Sequence, residues 1–160
     1  MLEAGAECGI REFGFNALLS LRLEKGFGIW SAEFTQGYTP GMTGMDRWID
    51  WEKDQFIGQS AALKERDGNG PSQKLVMLEV EASDADASGY EPVWNNDNLV
   101  GFVTSGGYGH TVNKSLAMAL INSDLAQEDQ NLKVHVVGVE KDAKVIQMSP
   151  YDPEGSVMRV

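Results

Sequence analysis

Apolar positions change their spacing once along this chain, at Asp67-Gly68-Asn69-Gly70-Pro71-Ser72, a run made only of turn and linker residues. Before that break the spacing is helical. Leu2 to Cys8 reads as a helix, and Phe15, Leu19 and Leu23 follow at i, i+4 and i+8, one apolar stripe that ends at Gly26. Asp46 to Trp51 alternates polar and apolar residues and predicts a strand, and Gln59 to Arg66, after Phe56-Ile57-Gly58, predicts a short helix. After the break the period shortens to that of strands: Lys74 to Glu81, Glu91 to Trp94, Leu99 to Thr104, Ser115 to Ile121, Leu132 to Val139 and Lys144 to Gln147. Asn95-Asn96-Asp97-Asn98 marks a hairpin, because Asn and Asp enter positive φ cheaply. Six short strands without long intervening helices predict an antiparallel β-barrel or jelly roll, and the helical first segment makes the whole an α+β chain.

The division that follows is residues 1–68, 73–150 and a tail, 151–160. Two or three helices and one strand are too few to bury both faces of the first segment, and it opens inside a helix. A larger domain upstream is therefore expected to cover Phe15, Leu19 and Leu23.

Composition narrows the choice of partner. The 24 acidic residues outnumber 13 Lys and Arg, for a net charge of -11, and no basic cluster offers a footprint for a phosphate backbone. Nucleic acid is not expected as a partner. The acids are densest at Asp84 to Asp86 and Asp124 to Asp129, where they read as a solvated surface. Cys8 is the only cysteine, which excludes an internal disulfide and a cysteine-rich zinc site and fits a reducing compartment. No secretory or bilayer-length apolar run occurs, so no membrane is expected as a partner and the chain reads as cytoplasmic, or as a matrix protein if it comes from a mitochondrion.

Chemistry concentrates in Thr104-Ser105-Gly106-Gly107-Tyr108-Gly109-His110, expected as a connection between two strands and suited by its glycines to close contact with a backbone or a ligand. The glycines lack the Gly-x-Gly-x-x-Gly spacing and the following helix that a dinucleotide requires. Neither Ser105 nor Ser115 stands in a nucleophile elbow, and His110 and His135 supply no metal-binding frame. His135 alternates with Leu132, Val134, Val136 and Gly138 and is expected on the outer face of its strand. Acid-base pairs can be drawn between Glu24 and Asp46 or between Glu33 and Asp50, and spacing prefers neither. Phe27, Trp30, Trp48 and Trp51 flank glycine-containing or alternating runs. Core packing is the expected role of each, with Trp30 the first candidate for stacking on a flat heterocycle.

These motifs together resemble a known family. Ser20-Leu21-Arg22-Leu23-Glu24-Lys25-Gly26-Phe27, Trp30, Thr39-Pro40, Asp54-Gln55-Phe56-Ile57-Gly58-Gln59 and Ala62-Leu63 are similar to the C-terminal half of the folate-binding module of aminomethyltransferases, the glycine-cleavage T-protein family. Gly89-Tyr90-Glu91-Pro92-Val93-Trp94, Val100 to His110 and Lys114 to Ala119 resemble that family's C-terminal barrel, in the version of its dimethylglycine and sarcosine dehydrogenase branch. The resemblance implies tetrahydrofolate as cofactor, FAD only on an upstream flavin domain, and transfer of a one-carbon unit from an N-methyl amine to folate. It implies Phe27 and Trp30 on the pterin side of the cofactor, with Tyr108 and His110 capping it from the barrel. The family's catalytic aspartate lies before the Leu-Arg-Leu-Glu motif, so no catalytic residue is assigned here and the chain alone is expected to be inactive. Two positions depart from the family. Leu18 stands where T-proteins carry an Arg for the folate glutamyl tail, and Met42 where they carry the Glu of Pro-x-Glu-x-Gly-Leu. The alternative expectation is a noncatalytic interaction module that has lost folate; a homodimer through the exposed helix is a further one.

Overall fold

The outer strands of a small sheet need partners, and this chain supplies them by closing the sheet on itself. The computed structural model describes residues 1–159 and shows a closed six-stranded antiparallel barrel in the order β1-β4-β3-β2-β5-β6. The strands are β1 Gln73–Val80, β2 Pro92–Asn95, β3 Asn98–Gly109, β4 Lys114–Asn122, β5 Asn131–Val136 and β6 Val139–Ile146. Val76, Leu78, Val93, Val103, Ala117, Ala119, Ile121 and Val134 fill the interior with their neighbours. Alternation along each strand sends every second residue inward.

β4 is the exception, and it explains the unbroken apolar run in its sequence. Every residue from Ser115 to Ile121 is buried. The outward set, Leu116 and Met118, joins Met77 of β1 and Leu23 in a second cluster, with Met148 against it. A strand covered on both faces reads as continuous hydrophobic sequence.

What covers that outer face is the first segment. It contains α1 Leu2–Gly5, α2 Phe15–Glu24, α3 Pro40–Thr43 and α4 Gln59–Arg66. The expected α4 is found with the bounds read from sequence, and the Leu2 to Cys8 helix is found as α1 followed by a 3-10 turn at Ala6–Cys8. Only the C-terminal end of α2 docks. Leu23 is 1% exposed, Leu19 is half-buried and Phe15 is 71% exposed, so the stripe leaves the barrel surface within two turns.

Three expectations about elements are corrected. Asp46 to Trp51 is no strand: Asp46–Trp48 is a 3-10 turn, because the closed barrel leaves no edge with which it could pair. The Gly-rich run is no loop. β3 continues to Gly109, and the reversal falls at His110 to Asn113, with Asn113 at φ 55°. The segment Leu132 to Val139 is cut by a two-residue turn at Val137 and Gly138, φ 51° and 78°, so β6 starts at Val139 rather than Lys144. Two successive positive φ values give the turn that matches strand twist. The expected hairpin at Asn95–Asn98 forms, with Asn96 at φ 52°.

The glycines of β3 serve close approach. A Cβ on Gly106 would stand 2.3 Å from the Ala87 carbonyl oxygen, and one on Gly101 2.1 Å from that of Leu120. Backbone cannot yield as a flexible side chain can. Gly101→Ala is therefore expected to destabilise the chain by about 2–3 kcal/mol in urea unfolding. Gly37→Ala, where the nearest atom lies at an ordinary 3.7 Å, stays within about 0.5 kcal/mol.

Candidate functional site

The junction between α2 and β3 is built from charged residues that water does not reach. Arg22, Leu23 and Glu24 are the last three residues of α2, and all are buried. Glu33, in the loop after α2, is fully buried as well. Its Oε1 accepts from Thr104 Oγ1 at 2.7 Å and from Ser105 Oγ at 2.5 Å. Its Oε2 accepts from the Ile29 amide at 2.9 Å and meets Arg22 Nη1 at 3.4 Å.

Glu24 does the same at the far end of the Gly-rich half-strand. Its carboxylate accepts from the Thr111 amide at 2.5 Å, Thr111 Oγ1 at 2.8 Å and the Val112 amide at 3.1 Å. Between them Ser20 Oγ donates to the Tyr108 carbonyl at 2.6 Å. The chain from Thr104 to Val112 is thus held at Thr104 and Ser105 by Glu33, at Tyr108 by Ser20 and at Thr111 and Val112 by Glu24. A buried carboxylate is tolerated only when its lone pairs are satisfied, and both are.

Arg22 is less well served. Nη1 also donates to the Phe27 carbonyl at 3.2 Å and contacts Met118 Sδ at 3.7 Å, while Nε is buried without a partner. Burial lowers its pKa, and the nearby Glu33 charge works in the opposite direction.

Beside this junction lies an aromatic cavity of about 450 Å³ lined by Gly28, Trp30, Phe34, Thr35, Tyr38, Pro40, Thr43 and Met45. Trp30 meets Phe34 edge to face at 6.2 Å and is 84% exposed. Gly28 is obligatory here: a Cβ would fall 2.7 Å from the Phe34 ring and 2.8 Å from Glu33 Cβ. The Tyr38 phenol is held above its ordinary pKa by burial, and then by the charges of Tyr90 and Glu33. No lining residue carries a charge, so the cavity suits an uncharged flat ring better than an anion.

The four residues singled out from sequence are dispersed. Trp30 lines the aromatic cavity. Phe27 is 50% exposed, with Lys25 Nζ 5.9 Å from its ring centre. Tyr108 and His110 meet edge to face at 5.1 Å. Tyr108 faces a different cavity, of about 780 Å³, lined by residues 79–86 and 113–115. The expectation of core packing fails for Phe27, Trp30 and Trp48, all exposed, and Trp51 lies half-buried under the Arg66 guanidinium at 4.4 Å. Glu33 was seen in sequence only as a possible partner of Asp50; its true partners are 11, 71 and 72 residues away. His135 is on the outer face of β5 as expected, stacked on Trp94 at 5.4 Å. Among the described residues no group of three or more His, Cys, Asp or Glu is placed to hold a metal ion, and no helix is long and apolar enough to cross a membrane.

Fold and junction together define a class: a closed antiparallel barrel joined to a helical segment through buried carboxylates. The family profile described as "Glycine cleavage T-protein C-terminal barrel domain" matches residues 73–152, and that described as "GCVT N-terminal domain" matches residues 1–53. The chain belongs to the glycine cleavage T-protein family. It is 35% identical over 147 residues to the mitochondrial dimethylglycine dehydrogenase of Rattus norvegicus, covering 92% of this chain and 17% of that protein. With the aminomethyltransferase of Caldanaerobacter subterraneus it shares 33% identity over 134 residues, 84% of this chain and 35% of that one. The crystal structure of the glycine cleavage system aminomethyltransferase T from Bartonella henselae superposes with a TM-score of 0.83 at 25% identity, over 93% of this chain and 42% of that one. The chain thus spans less than half the length of these relatives.

The junction makes a measurable claim. Glu33→Ala strands the Arg22 charge and two hydroxyls, and is expected to cost about 3–5 kcal/mol in denaturant unfolding. The double variant Arg22→Met with Glu33→Ala is expected to lose less than the sum of the two single variants, as the double-mutant cycle will read.

Proposed function

We propose that this chain is the barrel-side part of a tetrahydrofolate-dependent aminomethyltransferase module of the dimethylglycine or sarcosine dehydrogenase kind, in which a one-carbon unit from an N-methyl amine passes to folate. The observation that carries this reading is the uncharged aromatic cavity of Trp30, Phe34 and Tyr38 beside the buried junction. Family membership and the dehydrogenase and aminomethyltransferase relatives support it.

In this reading the pterin ring stacks on Trp30, with Phe27 on the same side. Tyr108, which borders a separate cavity here, and His110 cap the site from the barrel in the assembled module; Ser20 holds the Tyr108 carbonyl and Glu24 holds Thr111 and Val112 just beyond them. The remaining T-protein fold, joined to this chain or separate from it, covers the exposed Phe13, Phe15, Leu18 and Leu21 and brings the catalytic aspartate. A flavin domain carrying FAD performs the oxidation, and the chain alone is inactive. The division at 1–68, 73–150 and 151–160 and a cytoplasmic or mitochondrial-matrix location belong to the same proposal; Val160 lies outside the described residues.

A second reading has its own support. Leu18 is exposed on α2 and Met42 is half-buried on α3, so neither offers a charge to a folate tail. This favours a noncatalytic interaction module. Self-association through α2 would instead give a dimer by light scattering.

Calorimetric titration separates the readings. Tetrahydrofolate is expected to bind weakly or not at all to this chain alone and stoichiometrically once an N-terminal T-protein half is supplied. Trp30→Ala is expected to weaken that binding at least about tenfold, the loss of one aromatic stack. Tight binding by the chain alone overturns the divided site, and none by the assembled module favours the interaction reading.

A further inference from the structure

The chain leaves the barrel at Ile146 and turns back over the end of α2, where four features converge. Gly26, at φ 68°, lets the Met148 carbonyl oxygen approach to 2.2 Å of where a Cβ would stand. Tyr151 donates its amide to the Glu24 carbonyl at 3.0 Å, satisfying one of the acceptors that a helix end leaves open. Lys25 Nζ donates to the Asp152 carbonyl and pairs with Asp152 Oδ2 at 3.3 Å; the two side chains are 14% and 5% exposed. Asp152, at φ 47°, also accepts from the Ser156 amide and hydroxyl, each at 2.8 Å, and from the Val157 amide at 3.3 Å.

The Asp152 carboxyl lies below its ordinary pKa although its enclosure acts the other way, because Ser156, Lys25 and Val157 bond to the ionised form. The family match to the barrel ends at residue 152. Ser156 and Val157, which hold that carboxylate, lie beyond it.

We propose that residues 148–157 are a latch: the Asp152–Lys25 pair, set by the Ser156 turn, keeps the last turn of α2 seated on the barrel, and its release loosens that turn without opening the barrel. Two features of the packing allow this. The barrel closes through strand pairing that does not involve the first segment or the tail, and its interior cluster contains no residue of either. The residues beneath the latch, Arg22, Leu23 and Glu24, carry the junction with Thr104, Ser105 and Thr111 only through Glu33 and their own side chains. Opening the latch would therefore loosen the hold on the Gly-rich strand. It makes that hold adjustable from the C-terminal end of the chain.

The test is residue-resolved hydrogen exchange on the whole chain. The reporters are the amides of Lys25, Gly26 and Phe27, which donate to Leu21, Leu23 and Arg22. In Lys25→Met and in Asp152→Asn these amides are expected to exchange about tenfold faster, the scale of one lost charge-assisted hydrogen bond. Amides of β1 and β4 are expected to keep their rates. The double variant should be no faster than either single one, and Lys144→Met, which removes an exposed pair with Asp129, should change neither set. Unchanged exchange at 25–27, an equal rise in β4, or loss of the folded barrel in both single variants each overturns the latch, since it requires a barrel that stands without it.

Discussion

Enclosing a carboxylate away from water costs several kcal/mol unless its lone pairs find donors, and Glu33 is such a group. Four donors meet it, from the guanidinium of α2, an amide of its own loop and two hydroxyls of β3. The guanidinium and the two hydroxyls come from different elements, so meeting Glu33 together constrains how α2 sits on β3. That requirement fixes where Leu23 lands, hence which face of β4 is covered, hence why β4 is apolar on both sides. The same docking leaves the first two turns of α2 without a surface, so the exposed Phe15 and Leu18 are a consequence of it. Hydrophobic burial alone would not choose this position, being non-directional; the carboxylates supply the direction.

Strands, helix α4 and the Asn95–Asn98 hairpin were legible because each is decided locally, by residue spacing or by residues that tolerate positive φ. Asp46 to Trp51 misled for the same reason: alternation reports a pattern, whereas a strand also needs a free edge, and barrel closure removes it. Val137 hid a turn because a β-branched residue at φ 51° is strongly disfavoured, and only Gly138 beside it gave a signal. Its amide is held by Glu91 Oε1 at 2.7 Å, a partner 46 residues away that no local window contains.

The site was less legible than the fold. Arg22 and Glu24 were visible as a motif on one helix, yet Arg22 is met by Glu33 of the following loop and Glu24 by Thr111 and Val112, 87 and 88 residues away in the turn after β3. The glycines of β3 were visible too, but composition could not separate a mobile ligand loop from a strand crowded by neighbouring backbone. Gly106, with the Ala87 carbonyl at 2.3 Å from its would-be Cβ, belongs to the second kind. Sequence therefore marked the glycines and misjudged the rigidity of the strand that carries them. Aromatics misled in the other direction, because Trp30 and Trp48 carry every compositional sign of a core and stand in the open.

That exposure has a physical reading in terms of the family. The chain matches 42% of the length of the structurally aligned aminomethyltransferase and 17% of the rat dehydrogenase, and it holds a barrel that closes on itself beside a helical segment that does not. Exposed large apolar residues occur on α2, at Phe13 and at Trp30, while Met77, Leu116 and Met118 on the outer face of β1 and β4 are buried. An isolated soluble unit rarely keeps such a surface bare. Its position follows from the Glu33 junction: the buried ions hold the helical segment so that its covered side meets the barrel and its bare side points away. The side turned to the barrel joins the Leu23 cluster to two hydrogen-bonded carboxylates; the side turned outward is apolar and aromatic, the composition that buried interfaces and heterocycle sites share. One constraint, the burial of two carboxylates, thus arranges both the face of the helical segment that meets the barrel and the apolar face that it leaves exposed.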